Sequence, residues 1–189
     1  MIFVTKRKQN LVTVALLFAL LLVLVFLLIS LPMAKYDTEK EDATQVFANL
    51  IDTTDKKISS ITVKNGLGEY ELRVDEKDDK QVYVLEGLDE SKTAQANASM
   101  LVDSLVNLKP VKIIDDENLD LSMYGLSSTG AQLTATFDKG EQTTLMLGAD
   151  APLSQGSYVK LESDPKVYLI EPGEKEIFLN EKSFYLEAE

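Results

Sequence analysis

The sequence predicts an α+β protein: one N-terminal transmembrane helix, then a mainly antiparallel β-sheet domain with one principal packed helix. Three observations predict it. Leu11 to Ile29 is a run of nineteen residues whose apolar pattern is broken by Thr13 alone. Most of the remaining chain falls into short segments of period-two alternation. One longer segment, Ala94 to Leu108, repeats its apolar residues at helical spacing instead.

At 1.5 Å per residue, Leu11 to Ile29 roughly matches the ~30 Å hydrocarbon core of a bilayer. Its apolar side chains occupy every side of the helical wheel, whereas a buried helix of a soluble domain keeps a polar face. A cleaved signal peptide is the rival reading, with Lys6-Arg7-Lys8 as basic n-region and Pro32-Met33-Ala34 as a loose cleavage site. Against it, the run exceeds the usual ~7–15 residue h-region, and Pro32 stands where a small residue is wanted. The reading is therefore an uncleaved anchor, with a cytoplasmic basic tail at 1–10, the span at 11–31, a stalk at 32–57 and an extracytoplasmic domain at 58–189. The three basic residues before the span, against Asp37, Glu39, Glu41 and Asp42 just beyond it, place the N-terminus in the cytoplasm. The expected location is the cell membrane, single-pass, with lipid contacted through residues 11–31.

Beyond residue 34 the chain holds 16 basic and 31 acidic residues. Such a field repels phosphate backbones and anionic headgroups, which argues against nucleic-acid binding. The chain has no Cys and no His. Disulfides, thiolate zinc sites, Cys nucleophiles and a Ser/His/Asp triad are therefore excluded.

In the stalk, Thr38 and Glu41 read as a capping box, and Ala43, Val46, Phe47, Leu50 and Ile51 share one helical face. A short amphipathic helix is expected, its Val46, Phe47 and Leu50 stripe packing on the chain's own sheet or on a neighbouring subunit. Asp52 to Lys57 links it to the domain. Ile61 and Val63, then Tyr70, Leu72 and Val74, form two strands joined through Asn65-Gly66-Leu67-Gly68, residues that tolerate positive φ. Val82 to Leu85 is a third strand. The principal helix spans Ser91 to Leu108, with Ser91 or Asp89 as N-cap, Ala94, Ala98, Leu101, Leu105 and Leu108 as its stripe, and Pro110 as its stop.

Val111 to Ile114 is a short strand, and after it comes an irregular stretch from Asp115 to Gly130. Ala131, Leu133, Ala135 and Phe137 alternate with polar residues, Asp138 to Glu141 turns, and Thr143 to Leu147 returns. Two further strands, Tyr158 to Leu161 and Val167 to Ile170, are joined at Ser163-Asp164-Pro165. Alternation throughout gives each sheet one wet face and antiparallel pairing. Ile177 to Leu186 reads as a last helix.

This order of elements, together with Tyr124-Gly125-Leu126, Leu147-Gly148, Tyr158-Val159 and Val167-Tyr168-Leu169-Ile170, resembles a bacterial family called domain of unknown function 4340. The resemblance runs from about Ile58 to Leu179, and the preceding membrane helix matches too. The sequence departs from the family at Tyr83, where Trp is common, at Ser127-Ser128-Thr129, where a Pro is common, and in lacking a second similar unit. The resemblance implies a single-span extracytoplasmic protein, often encoded beside ABC-type transporter components of the gliding-motility sort. It implies an accessory or assembly role with an ABC-type permease or related auxiliary subunit as partner; no cofactor is expected from the residues.

Read from the residues alone, Gly125 allows a tight positive-φ turn while Tyr124 and Leu126 plug the open end of the sheet. The loop opened by Gly148, Ala149 to Ser157, is long for a hairpin and carries Pro152, Leu153 and Gln155 ahead of Tyr158, which makes it the candidate partner or ligand surface. Chemical motifs fail on their spacing. Asp116, Asn118 and Asp120 imitate a calcium loop, but Leu121 and Ser127 stand where Gly and Glu are required. Gly125 to Gly130 is followed by Ala131-Gln132 instead of Lys and Ser/Thr, and Gly66-x-Gly68 lacks its third glycine. Asn97-Ala98-Ser99 is a glycosylation sequon in mid-helix. Paired carboxylates would suffice for a glycosidase, but nothing singles out two among 31 acids, and no Trp offers a sugar platform. The expectation is a non-catalytic module that binds protein partners; a ligand-capturing domain and a self-associating envelope protein are the alternatives.

Overall fold

The structure is a computed structural model and describes residues 47–115 and 119–188. The expected membrane span at 11–31, the Thr38 capping box, Val46 and residues Asp116 and Asn118 of the calcium-like motif lie outside them. Among the described residues no helix is long and apolar enough to cross a membrane.

Eight strands form a single sheet: β1 (Ile58–Asn65), β2 (Gly68–Lys77), β3 (Lys80–Leu85), β4 (Lys112–Ile114), β5 (Gln132–Phe137), β6 (Gln142–Asp150), β7 (Ser157–Leu161) and β8 (Val167–Ile170). Their order across the sheet is β3-β2-β1-β5-β6-β7-β8-β4, and every neighbouring pair is antiparallel. The expected α+β architecture is therefore present, with helix α1 (Gln95–Val106) as its principal helix. Asp78 and Asp79 both take positive φ in the two-residue β2–β3 turn, the conformation a tight hairpin requires.

Side chains alternate across a strand, so one sheet face gathers Ile61, Val63, Tyr70, Leu72, Leu85, Leu133, Phe137, Leu145, Leu147, Val159 and Ile170. Ala98, Leu101, Val102 and Leu105 of α1 pack into the same cluster. This matches the predicted stripe, except that Ala94 stands outside the helix as its N-cap and Leu108, buried in the same cluster, follows its end at Val106. The N-terminus differs from expectation for a physical reason. Glu90–Lys92 is a separate 3-10 turn, and Thr93 is drawn into a β-bridge with Leu186 while its hydroxyl accepts the Leu85 N–H. Neither Ser91 nor Asp89 caps α1. The Gln95 side chain instead accepts from Tyr83 N–H and donates to Tyr83 C=O, occupying the outer edge of β3 as a neighbouring strand would.

The stalk is not helical where it is described. Asn49 donates its side-chain amide to Val106 C=O at 2.8 Å, and Leu50 N–H bonds Leu108 C=O at 2.8 Å. The segment thus satisfies carbonyls that the end of α1 leaves open, which a helix through Leu50 could not do with its own N–H groups committed. Ile51 is buried in the core and Leu50 packs against it, so these two serve the chain's own domain, while Phe47 is half-buried.

The predicted last helix is likewise two pieces, α2 (Glu174–Phe178) and a 3-10 turn at Lys182–Tyr185. Between them Asn65 donates to the carbonyls of Leu179 and Asn180, and Tyr70 Oη donates to Asn180 C=O at 2.9 Å. Those acceptors are lost to a continuous helix. The chain turns, and Tyr185 enters the core. Asn97 donates to Phe184 C=O at 2.7 Å, so the sequon asparagine ties this segment to α1.

Candidate functional site

One expectation fails informatively: the sheet does not have a wet face everywhere. Val167, Tyr168, Leu169 and Ile170 are all buried, although alternation sends Val167 and Leu169 away from the main core. A second, smaller buried set, Leu126, Ala151, Val167 and Leu169, lies outside the main cluster. It comes with the segment after β4, whose 3-10 turn Leu121–Tyr124 packs against β6.

Asp120 starts that turn by accepting the Ser122 N–H at 3.0 Å and its hydroxyl at 2.7 Å, bonds that hold its carboxyl below the usual aspartate range. The third residue of the calcium-like motif is thus a cap. Gly125 ends the turn with φ +66°, and a side chain there would meet Ala149 Cβ and N at 2.8 Å. The contact is reciprocal. A Cβ on Gly148 would fall far inside contact distance of Tyr124 C=O, 3.0 Å from Tyr158 C=O and 3.1 Å from Leu126 Cδ2. The Tyr124 and Tyr158 rings close the arrangement edge to face, centroids 4.9 Å apart at 78°. Tyr124, Gly125, Leu126, Gly148 and Tyr158, predicted from separate stretches, are therefore one clamp. It sits on the sheet face rather than plugging the sheet's end.

The clamp coincides with a β-bulge. Leu147 pairs Val159 and Asp150 pairs Ser157, so β6 has one residue more than β7 between them. A bulge bends its strand and re-aims the chain beyond it. Here that chain is the Ala149 to Ser157 loop, where Pro152 opens a 3-10 turn and Pro152, Leu153 and Gln155 all stand exposed. Its base is fixed. Ala151 N–H bonds Gly156 C=O at 2.8 Å, and a Cβ on Gly156 would collide with Ile170 C=O.

A polar latch that sequence reasoning missed braces the same loop. Asp150 accepts from the Ser157 hydroxyl at 2.8 Å and from the Lys175 ammonium, and Lys175 also reaches Gly148 C=O at 3.4 Å. Lys175 is 9% exposed, so its charge needs these partners. Nothing local marks the group, because the latch joins β6 to α2 across 25 residues. The bonds from Lys175 and then Ser157 hold the Asp150 carboxyl below its ordinary value of 3.8. A depressed carboxylate stabilises the fold above its unfolded pKa and loses that contribution as pH falls through the folded value. The stability difference between wild type and Asp150→Asn should therefore stay constant above about pH 5 and close below pH 4. At neutral pH it should be about 1 kcal/mol, since the Asp150 carboxylate is largely open to water. Urea titrations of both proteins across that range check it, and taking the difference cancels Glu174, whose carboxyl burial pushes up.

Among the described residues no cluster of three or more acidic side chains is placed to hold a metal ion. An open cleft of about 630 Å3 is lined by Lys77, Asp89, Glu90, Gln95 and Glu187, and a cavity of about 230 Å3 by Arg73, Val84 and Leu88 among others. Neither includes the clamp or its loop.

No curated protein and no solved structure matches the chain. The family model described as Domain of unknown function (DUF4340) matches residues 87–184. That stretch begins after β3 and contains every residue of the clamp and its latch, and on it the chain belongs to the DUF4340 family.

Proposed function

We propose that this chain is a non-catalytic, membrane-anchored extracytoplasmic module that serves as an accessory or assembly subunit of an ABC-type transport system. The observation that carries the reading is the order of the chain: a basic tail, a nineteen-residue apolar run, then a strongly acidic domain. The clamp supports it. Gly125 and Gly148 let one backbone segment dock onto another and hold a loop outward, while Asp150, Ser157 and Lys175 are committed to each other. A rigid scaffold with a projecting loop suits recognition of another protein.

The absence of cysteine makes a direct test available. In intact cells a membrane-impermeant maleimide should label Leu67→Cys, at the exposed β1–β2 turn, and spare Thr5→Cys until the membrane is opened. The full 21.0 kDa chain should stay in carbonate-washed membranes. Labelling of Thr5→Cys alone, or release of a shortened chain, overturns the reading.

A further inference from the structure

Leu153 is 90% exposed and Met123 78%, the two most exposed large apolar residues among those described. Met123 immediately precedes Tyr124 of the clamp, and Leu153 lies in the loop that follows Gly148. Leu153 has φ +60° and Ser154 has φ +55°. Two successive left-handed residues suit Gly or Asn, and a leucine there is strained. The strain is imposed by a loop fixed at its base through Gly156, Ser157 and the Lys175 latch. Within the domain, Leu153 contributes neither burial nor a relaxed backbone. A second molecule that covers the side chain removes the first cost, and the left-handed backbone holds the side chain outward for it.

We propose that Leu153 is the anchor of a docking surface, with Met123 as a flanking contact, and that its occupant is a protein presenting an apolar pocket rimmed by Lys or Arg. Charge selects that occupant. Residues 47–189 hold 27 acidic and 14 basic side chains, and the two segments at the clamp, 119–131 and 149–157, have no Lys or Arg of their own; Asp150 is paired with Lys175, and Asp120 bonds only its own turn. An anionic lipid surface is repelled by this field, whereas a cationic rim is attracted. An apolar side chain already held outward by a fixed loop loses little freedom when a partner covers it, so more of its burial is kept as affinity. The proposal rests on reading the chain as a partner-binding subunit and names where that partner sits.

The test uses full-length protein. Leu153→Gly relieves the left-handed strain, so its melting temperature in detergent should rise by about 2–4 °C, while recovery of the co-purifying partner falls at least about tenfold. A benzophenone side chain at position 153 should cross-link, in native membranes, to one segment of that partner that contains apolar and basic residues, and the yield should drop with added salt. A fall in melting temperature would mean that Leu153 packs structurally and would overturn the proposal. So would an adduct to lipid, to residues 1–46 of the same chain or to a second copy. Partner recovery unchanged by Leu153→Gly sinks the docking site and leaves the accessory reading standing; no partner with the wild type removes both.

Discussion

Replacing Gly148 with alanine should destabilise the domain by about 3 kcal/mol, the upper end of what over-packing usually costs. The added methyl would meet the backbone carbonyls of Tyr124 and Tyr158 as well as the Leu126 side chain, and backbone cannot rotate aside as a flexible side chain can. Either the 3-10 turn at Leu121–Tyr124 lifts from the sheet or the bulge in β6 opens. Both uncover Leu126 and the second buried face. Gly66→Ala supplies the control: a Cβ there has nothing within 4 Å, so its stability should stay within about 0.5 kcal/mol of wild type. Denaturant midpoints of the two variants check the pair. Equal midpoints would show that the two segments are not clamped through this glycine.

Tyr185→Ala should cost about 3–5 kcal/mol, the range for removing a fully buried aromatic ring. Tyr185 is 0% exposed and is one of the largest side chains of the core. Its ring lies 5.4 Å from Tyr70 and 5.3 Å from Phe184, its C=O accepts the Ala94 N–H at 2.9 Å, and the next residue bridges Thr93. Burial pushes both the Tyr70 and Tyr185 phenols above the usual tyrosine range. Tyr185→Phe keeps the ring and loses a 3.5 Å bond to Ile177 C=O, so it should cost about 1 kcal/mol or less. Thermal melts of the two variants separate ring from hydroxyl. A small loss for Tyr185→Ala would show that the C-terminal turn does not seal the core.

The strands were legible because alternation is local: Leu133, Ala135 and Phe137 face the core, with polar residues between them. The stripe of α1 was legible for the same reason at a different period. What the sequence concealed depends on partners far along the chain. The helix expected through Phe47 to Ile51 fails because Asn49 and Leu50 bond the end of α1, some 57 residues away. The last helix fails because Asn65 and Tyr70 claim its carbonyls. At the site, Gly125 and Gly148 were each visible as conformational signals, yet the close approaches they allow, Gly125 to Ala149 and Gly148 to Tyr124, were not, since no periodicity links the two segments. Lys175 was hidden more fully, because a lysine on a short helix reads as a solvated charge until its neighbours are known.

The measurement that most directly tests partner binding is purification of the tagged full-length protein from its native membrane in mild detergent, with mass spectrometry of everything recovered. Transporter permease and ATPase subunits should come with this chain in a fixed ratio, one that persists across detergents. Recovery of the chain alone, as a lone monomer, under conditions that preserve known membrane complexes would contradict that role.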